Sequence, residues 1–454
     1  MNDARTTHYP IIIAGAGLAG LSACYHLLQQ GVDAPILLLD GRTRYDDDRT
    51  WCYWAVEPTP FDHLATHSWD QWTVRSPAGS QHQQSDRHPY LHLPSASFYD
   101  YVKTHIAQHP NVSVHLGEAV TDIVADQPQG RAMAGRSVTV GTARTSYTAD
   151  VLIDTRGLSR QDPLARQAQA ESVWLPQHFV GLRVRANQPS FDPATAVLMD
   201  FDVDQSAGLH FVYVLPTSPT EALVENVYLA DSAVGAGQHR AEIADYLHQR
   251  YGLAKDEWTI TGQEAGFIPM TDFVFPTRSG ERIFTLGTRG GQTRAASGYT
   301  FVRVQRQAQQ LAAHIAGDLA SSGLANLRPG PGDATPARFH TLDGIFLAYL
   351  TRFPQAGPDL FTRLAGAVDG DTFARFMTEA TTPKEELDIV LSLPILPFVG
   401  VAGRRLLDST IKRLRKKMAP SAGQSTPRAK SAPGRTLAPA PALAQPFRKG
   451  PHVH

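Results

Sequence analysis

The chain has 454 residues, 42 Lys and Arg against 43 Asp and Glu, and 42% hydrophobic residues; that is enough for about two to four packed units and excludes a fibrous or wholly disordered protein. Two cysteines, Cys24 and Cys52, exclude a disulfide-built scaffold and a Cys-rich zinc module and suit a reducing compartment. The net charge of −1 is uneven, because residues 401–454 carry 12 Lys or Arg and a single acid, Asp408.

Met1–Pro10 is polar and runs straight into Ile11-Ile12-Ile13, so no signal peptide is expected. Ile11–Ala14 reads as a strand, Leu18–Gln30 as a helix stopped by Gly31, and Pro35–Asp40 as a second strand. Between the first two lies Gly15-Ala16-Gly17-Leu18-Ala19-Gly20, a G-x-G-x-x-G turn. Gly15 permits the tight turn, Gly17 lets a pyrophosphate approach the backbone, and Gly20 lets helix and strand pack closely. Phosphates then meet the free N–H groups of the helix start. Asp40 closes the second strand, where an acid accepts from a ribose hydroxyl. Together these features point to a bound dinucleotide.

Further strands are expected at Val112–His115, Ala119–Val124, Ser137–Val140 and Val151–Asp154. A second group follows at Phe179–Val184, Ala196–Phe201, His210–Val214 and Glu221–Asn226, then a helix over Arg240–Tyr251. A late strand, Arg282–Leu286, leads through another glycine-rich turn into a helix over Val302–Leu319. His82–His92 reads as a polar loop, Gly323–Pro336 as a linker and Asp343–Val390 as a helical region. From Ala419 onward Pro, Ala, Ser, Gly and Lys/Arg dominate, which reads as a disordered basic tail.

The chain leaves the nucleotide fold after Asp40 and returns to it at Val151–Gly157 and Ile283–Gly287. That layout favours FAD over NAD. The expected class is α/β: a discontinuous Rossmann-type FAD-binding domain (8–48, 98–160, 278–322) interleaved with a mixed β-sheet substrate domain (49–97, 161–277). A helical C-terminal region (337–418) and the tail (419–454) follow. The interleaving resembles the flavoprotein family that includes aromatic hydroxylases and geranylgeranyl reductases. In that family the late turn usually reads Gly-Asp, where this chain has Gly287-Thr288.

Five motifs narrow the resemblance. They are Asp48–Trp54 (DRTWCYW), Asp154–Gly157 (DTRG), Ala222–Asn226 (ALVEN), Gly266–Met270 (GFIPM) and Gly287–Phe301 (GTRGGQTRAASGYTF). In consistent order over roughly residues 10–410, they resemble the flavin-dependent lycopene cyclases of carotenoid biosynthesis. The resemblance implies a bacterial-type lycopene β-cyclase that closes the ψ-ends of lycopene, by way of γ-carotene, into β-ionone rings. It implies an isomerisation without net electron transfer, FAD in its reduced form, and NADPH as electron donor. A monooxygenase or a prenyl reductase on the same fold is the competing reading. Asn226 stands where some relatives carry a second acid, so the sequence offers Glu225 no adjacent carboxylate.

On this reading Glu225 is the catalytic carboxylate, which removes the ring proton or stabilises the cation. Leu223, Val224 and Val227 surround it, and an apolar setting raises a carboxyl's pKa until it exchanges protons near neutrality. Strand alternation leaves open a solvent-facing Glu225 on the side of Glu221. Gly15, Gly17, Gly20, Asp40, Arg49, Arg156, Gly287, Gly290, Gly291 and Gly298 are assigned to the cofactor. Trp51, Trp54 and Tyr299 are assigned to the substrate pocket, where aromatic faces stabilise a cation, with Tyr213 and Tyr228 as further candidates. Arg289 and Arg294 are read equally as phosphate partners or surface charges, and no metal site is expected.

Ile389–Gly403 is apolar but broken by Ser392, Pro394 and Pro397, too short to span a bilayer, and followed by Arg404, Arg405 and Lys412. It reads equally as a membrane-surface wedge with basic residues facing anionic head groups, or as a buried segment before a solvated helix. With the resemblance, a cytoplasmic, peripherally membrane-associated enzyme is expected. The tail lacks interleaved aromatics, so no nucleic-acid partner is expected. Oligomeric state is not legible.

Overall fold

A computed structural model describes residues 7–125, 137–232, 234–333 and 335–405. The expected tail at 419–454, and the end of the expected helical region, lie outside the described residues.

The strand Thr7–Ala14 is the centre of the first sheet. It pairs in parallel with Ile36–Asp40 on one side and Ser146–Asp154 on the other. Val112–Leu116 and Ile283–Thr285 extend the parallel run outward. Ile11, Ile12, Ile13, Leu37, Leu38, Leu152 and Ile153 are fully buried, as continuous apolar strands covered on both faces should be. The helix Leu18–Gln29 packs on this sheet beside the long helix Phe301–Ser321. The chain therefore threads one sheet three times, from segments far apart in sequence.

The second sheet has seven strands in the order Trp258–Ile268, Gln177–Ala186, Glu221–Leu229, Leu209–Pro216, Thr195–Asp200, Gln71–Ser76 and Gly79–Gln84. All its pairings are antiparallel except Thr195–Asp200 with Gln71–Ser76. Thr50–Trp54, Tyr90–Pro94 and His67–Trp69 form a small third sheet. The stretch read as a polar loop at His82–His92 is strand at both ends, with a loop only at 85–89. His82 lies in the hairpin Gln71–Gln84, and His92 is buried between two strands, pairing with Cys52 and His67. Alternating polar residues on an edge hairpin carry no apolar period, so the pattern hid them.

After the linker come helices Ala337–Arg352, Gly357–Gly366, Gly370–Met377 and Pro383–Ser392. Pro383–Ser392 starts with a capping box, Thr382 and Glu385 satisfying each other's backbone N–H groups. A further helix, Ile395–Arg405, is bent 111° from it. These helices share a core with the second sheet, in which Phe346, Leu350, Leu360 and Phe373 meet Trp72, Phe201 and Leu223. Among the described residues no single helix is long and apolar enough to cross a membrane.

Candidate active site

One cavity of about 910 Å³ runs from the glycine turn, past the second sheet, to the C-terminal helices. Gly15, Gly17, Asp40, Arg42, Arg156 and Gly287 line its first end. Gly15 has φ +102°, and a Cβ on Gly20 would meet its carbonyl oxygen at 1.8 Å, so both positions require glycine. The helix Leu18–Gln29 has no side-chain cap at Gly17 and no acid in its first turn, leaving its N–H groups free for an anion. Asp40 Oδ2 accepts from the Ala16 N–H at 2.6 Å and Oδ1 from the Arg42 N–H at 2.8 Å, which ties the turn to the end of the second strand. Further along, Ser297 Oγ is buried beside the cavity with no hydrogen-bond partner. A helix N-terminus, a glycine cradle and an orphaned hydroxyl fit a dinucleotide with a polar ring system.

Arg156 lines the cavity with its guanidinium forked onto Asp154, Nε to Oδ1 at 2.9 Å and Nη2 to Oδ2 at 2.8 Å. Arg289 pairs with Asp162 and reaches Asp154 at 3.6 Å. Arg294 is 1% exposed and donates to both Asp343 oxygens at 3.1 Å. It is therefore not a surface charge: buried at the cavity wall, it clamps the second glycine loop to the C-terminal helices. Gly290 and Gly291 do not line the cavity. Gly290 backs onto the Thr285 carbonyl and Gly291 onto Phe275, so they shape the turn rather than face a ligand. Gly20 is likewise a packing position, whereas Gly298 and Arg49 line the cavity.

Glu225 lies mid-strand, 8% exposed, with its side chain on the cavity wall. Glu221, on the same face, is half-exposed and bonds Arg185 at 2.7 Å. The strand runs from solvent to cavity, so the two glutamates share a face but differ in burial. Burial pushes the Glu225 carboxyl well above the usual carboxylate range, and the neighbouring Glu264 pushes it further.

Glu264 is the functional candidate that sequence reasoning missed. Gln177–Ala186 runs between the two glutamate strands, and its Gly181 is in register with Glu225 on one side and Glu264 on the other. A Cβ on Gly181 would lie 2.9 Å from Glu225 Cγ and 3.1 Å from Glu264 Cγ, so the two carboxyl side chains meet over the bare glycine. Glu264 accepts from the Thr50 hydroxyl at 2.7 Å, the Thr50 N–H at 3.2 Å and Arg183 Nη2 at 3.2 Å. Its only sequence signal is its place two residues before the Gly266–Met270 motif.

Trp51 lines the cavity, held edge-on by Phe98 and Tyr99 and tilted against Phe301. Trp54 does not line it. It is 1% exposed and packed against Trp72, Tyr90, Tyr299 and Phe373, because strand alternation turns it to the core behind the wall. Tyr299 does line the cavity, and Tyr90 OH bonds both Tyr299 OH at 2.8 Å and Tyr213 OH at 2.7 Å. Tyr228 faces away, its ring stacked on His210 at 4.1 Å. Phe346, Phe361, Phe376, Leu393 and Phe398 make the far end apolar.

A Rossmann-type sheet joined to a mixed, mostly antiparallel sheet, with one cavity crossing both, defines the class. A geranylgeranyl bacteriochlorophyll reductase-like protein of Thermoplasma acidophilum superposes with a TM-score of 0.56 at 10% identity, covering 87% of this chain and 99% of that one. A probable FAD-dependent monooxygenase of Pseudomonas aeruginosa does so with a TM-score of 0.51 at 13% identity, over 77% and 96%. The family is narrower than the fold. Residues 10–402 match the lycopene cyclase protein family, and the chain belongs to it. Lycopene beta-cyclase of Pantoea ananas is 28% identical over 58% of this chain and 63% of its own length. That of Paracoccus sp. (strain N81106 / MBIC 01143) is 27% identical over 53% and 57%. The alignments thus span about three-fifths of these relatives.

Proposed function

We propose that this protein is a lycopene β-cyclase that binds FAD and works by acid–base chemistry on a C40 hydrocarbon. The single observation that carries the reading is the placement of Glu225, a buried carboxyl whose pKa is raised by burial and by neighbouring Glu264, in the wall of a cavity with a dinucleotide cradle at one end and apolar walls at the other. Family membership and the Pantoea relative's activity support the substrate. FAD, reduced at the expense of NADPH, would supply negative charge that stabilises a cation when bound.

The rest falls to the chain. Glu225 gives its proton to the terminal double bond of the ψ-end, leaving a tertiary cation. The neighbouring double bond closes the ring, and Glu225 takes a proton from the ring carbon. One proton enters and one leaves, so no electrons are consumed. Trp51 offers its ring face to the cation, and the Tyr90–Tyr213–Tyr299 cluster keeps its hydroxyls bonded to one another. Apolar walls exclude the water that would quench the cation.

The helices Pro383–Ser392 and Ile395–Arg405 form the cavity's far end and also carry the exposed side chains Leu391, Leu396 and Val399. An apolar surface at the mouth of an apolar cavity suits a membrane-dissolved substrate, and supports peripheral attachment to a lipid surface. Arg404 is exposed there. Arg405 instead pairs with Asp272 and donates to the Gly344 carbonyl at 2.8 Å, so it is structural and not a head-group contact.

The test is expression in a lycopene-accumulating host with chromatographic separation of the pigments. The proposal expects β-carotene, and unchanged lycopene from the Glu225→Gln variant with FAD retained. Unchanged lycopene from folded, FAD-loaded wild type refutes it; a reduced or hydroxylated pigment would point to the reductase or monooxygenase reading.

A further inference from the structure

We propose that Glu264 is a positioning residue for the reaction: anchored as a carboxylate by Thr50 and Arg183, it holds one shared proton on Glu225 and strengthens Glu225 as a base once that proton has left. The inference rests on the reading of Glu225 as the proton carrier.

Three observations lead to it. Glu264 is 5% exposed and does not line the cavity, whereas Glu225 does, so only Glu225 can touch substrate. Glu264 already accepts from two Thr50 donors and the Arg183 guanidinium, an environment built for an anion. Glu225 faces it across Gly181, where any side chain would part the two. An anion fixed there has one lone pair to offer, and Glu225 meets it best as the protonated partner.

The groups around Glu225 weigh the same way. Burial and Glu264 favour its neutral form; Arg49 and Arg183 favour its anion but do not prevail. Cys52, itself pushed up by burial, and Tyr213, in register with Glu225 on the next strand, are neutral. When the Glu225 O–H bond breaks and a C–H bond forms on the substrate, two anions are left side by side. Their repulsion peaks when the ring cation must lose its proton, so breaking the ring C–H bond returns that proton to Glu225. Acid and base are then one group, driven by a neighbour that never leaves its hydrogen bonds.

The experiment uses full-length, FAD-loaded protein with lycopene in phospholipid vesicles under reducing conditions. Turnover is followed against pH for wild type, Glu264→Gln and Glu225→Gln, and the protonated-carboxyl stretch is recorded by infrared difference spectroscopy. Activity needs protonated Glu225, so wild type should lose turnover only as the pH rises through its elevated pKa. In Glu264→Gln that alkaline limb should move to lower pH by about one unit or more, with FAD retained. Wild type should show a protonated carboxyl at neutral pH that Glu225→Gln lacks. An unmoved alkaline limb in Glu264→Gln overturns the proposal. If Glu264→Gln does not fold, Gly181→Ala decides, because its methyl group parts the two carboxyls: an alkaline limb moved to lower pH supports the pair, and an unmoved limb overturns it. Turnover by Glu225→Gln would instead remove the underlying proton-carrier reading, a separate failure.

Discussion

Gly181→Ala tests the architecture of the site with a single methyl group. The new Cβ would sit 2.9 Å from Glu225 Cγ, 3.0 Å from Glu225 Oε1 and 3.1 Å from Glu264 Cγ. Glu264 cannot retreat, because Thr50 and Arg183 hold it, so Glu225 must shift. Alanine in a strand gains about 0.5–1 kcal/mol over glycine through lower unfolded-state entropy. Overpacking a closed site costs about 1–3 kcal/mol, which outweighs that gain. The expected net loss is about 0–2.5 kcal/mol, centred on about 1 kcal/mol. Urea unfolding of the FAD-loaded protein reads it, with Gly237→Ala as control, since a Cβ there meets nothing within 4 Å. Turnover of lycopene should fall in Gly181→Ala and hold in the control. If the two variants match in midpoint and turnover, the carboxyl side chains do not meet over Gly181 and the reasoning fails.

Arg294→Met removes the cation that neutralises buried Asp343 and neighbours Glu379 at 3.9 Å; it should cost about 3–5 kcal/mol in denaturant unfolding, and a loss under about 1 kcal/mol would contradict the clamp. Leu391 and Leu396 are 56% and 85% exposed, so changing both to Asp should leave thermal stability unaltered. The same change should abolish co-sedimentation with anionic phospholipid vesicles; undiminished binding would locate the lipid contact elsewhere. Burial holds His239 down to about 4, and its Nδ1 takes a hydrogen bond from Asn226 Nδ2 at 3.0 Å. Because the unfolded chain binds that proton more readily, stability should fall as pH drops from the ordinary histidine value of 6.5 towards about 4. Unfolding free energies measured across that window should flatten in His239→Asn, and an unchanged slope would assign the acid sensitivity to other groups.

What the sequence determined by itself is local. The glycine turn, the helix after it and Asp40 depend on backbone conformations set within about one βαβ unit, so they are legible in order. Glu225 stood out through the resemblance carried by Ala222–Asn226, since strand alternation alone left it free to face solvent beside Glu221. Trp54 and Trp51 look alike in one aromatic cluster, and only the pairing of Thr50–Trp54 with Tyr90–Pro94 turns one to the cavity and the other to the core. Glu264 was invisible for a stronger reason. It meets Glu225 through a third strand that pairs with both, and strand order in a sheet is decided by long-range packing rather than by any residue's neighbours in the chain. The cavity's far end needed the same global information: helices beyond residue 337 fold back over a sheet begun at residue 71, and burial of their shared apolar faces brings those distant segments together.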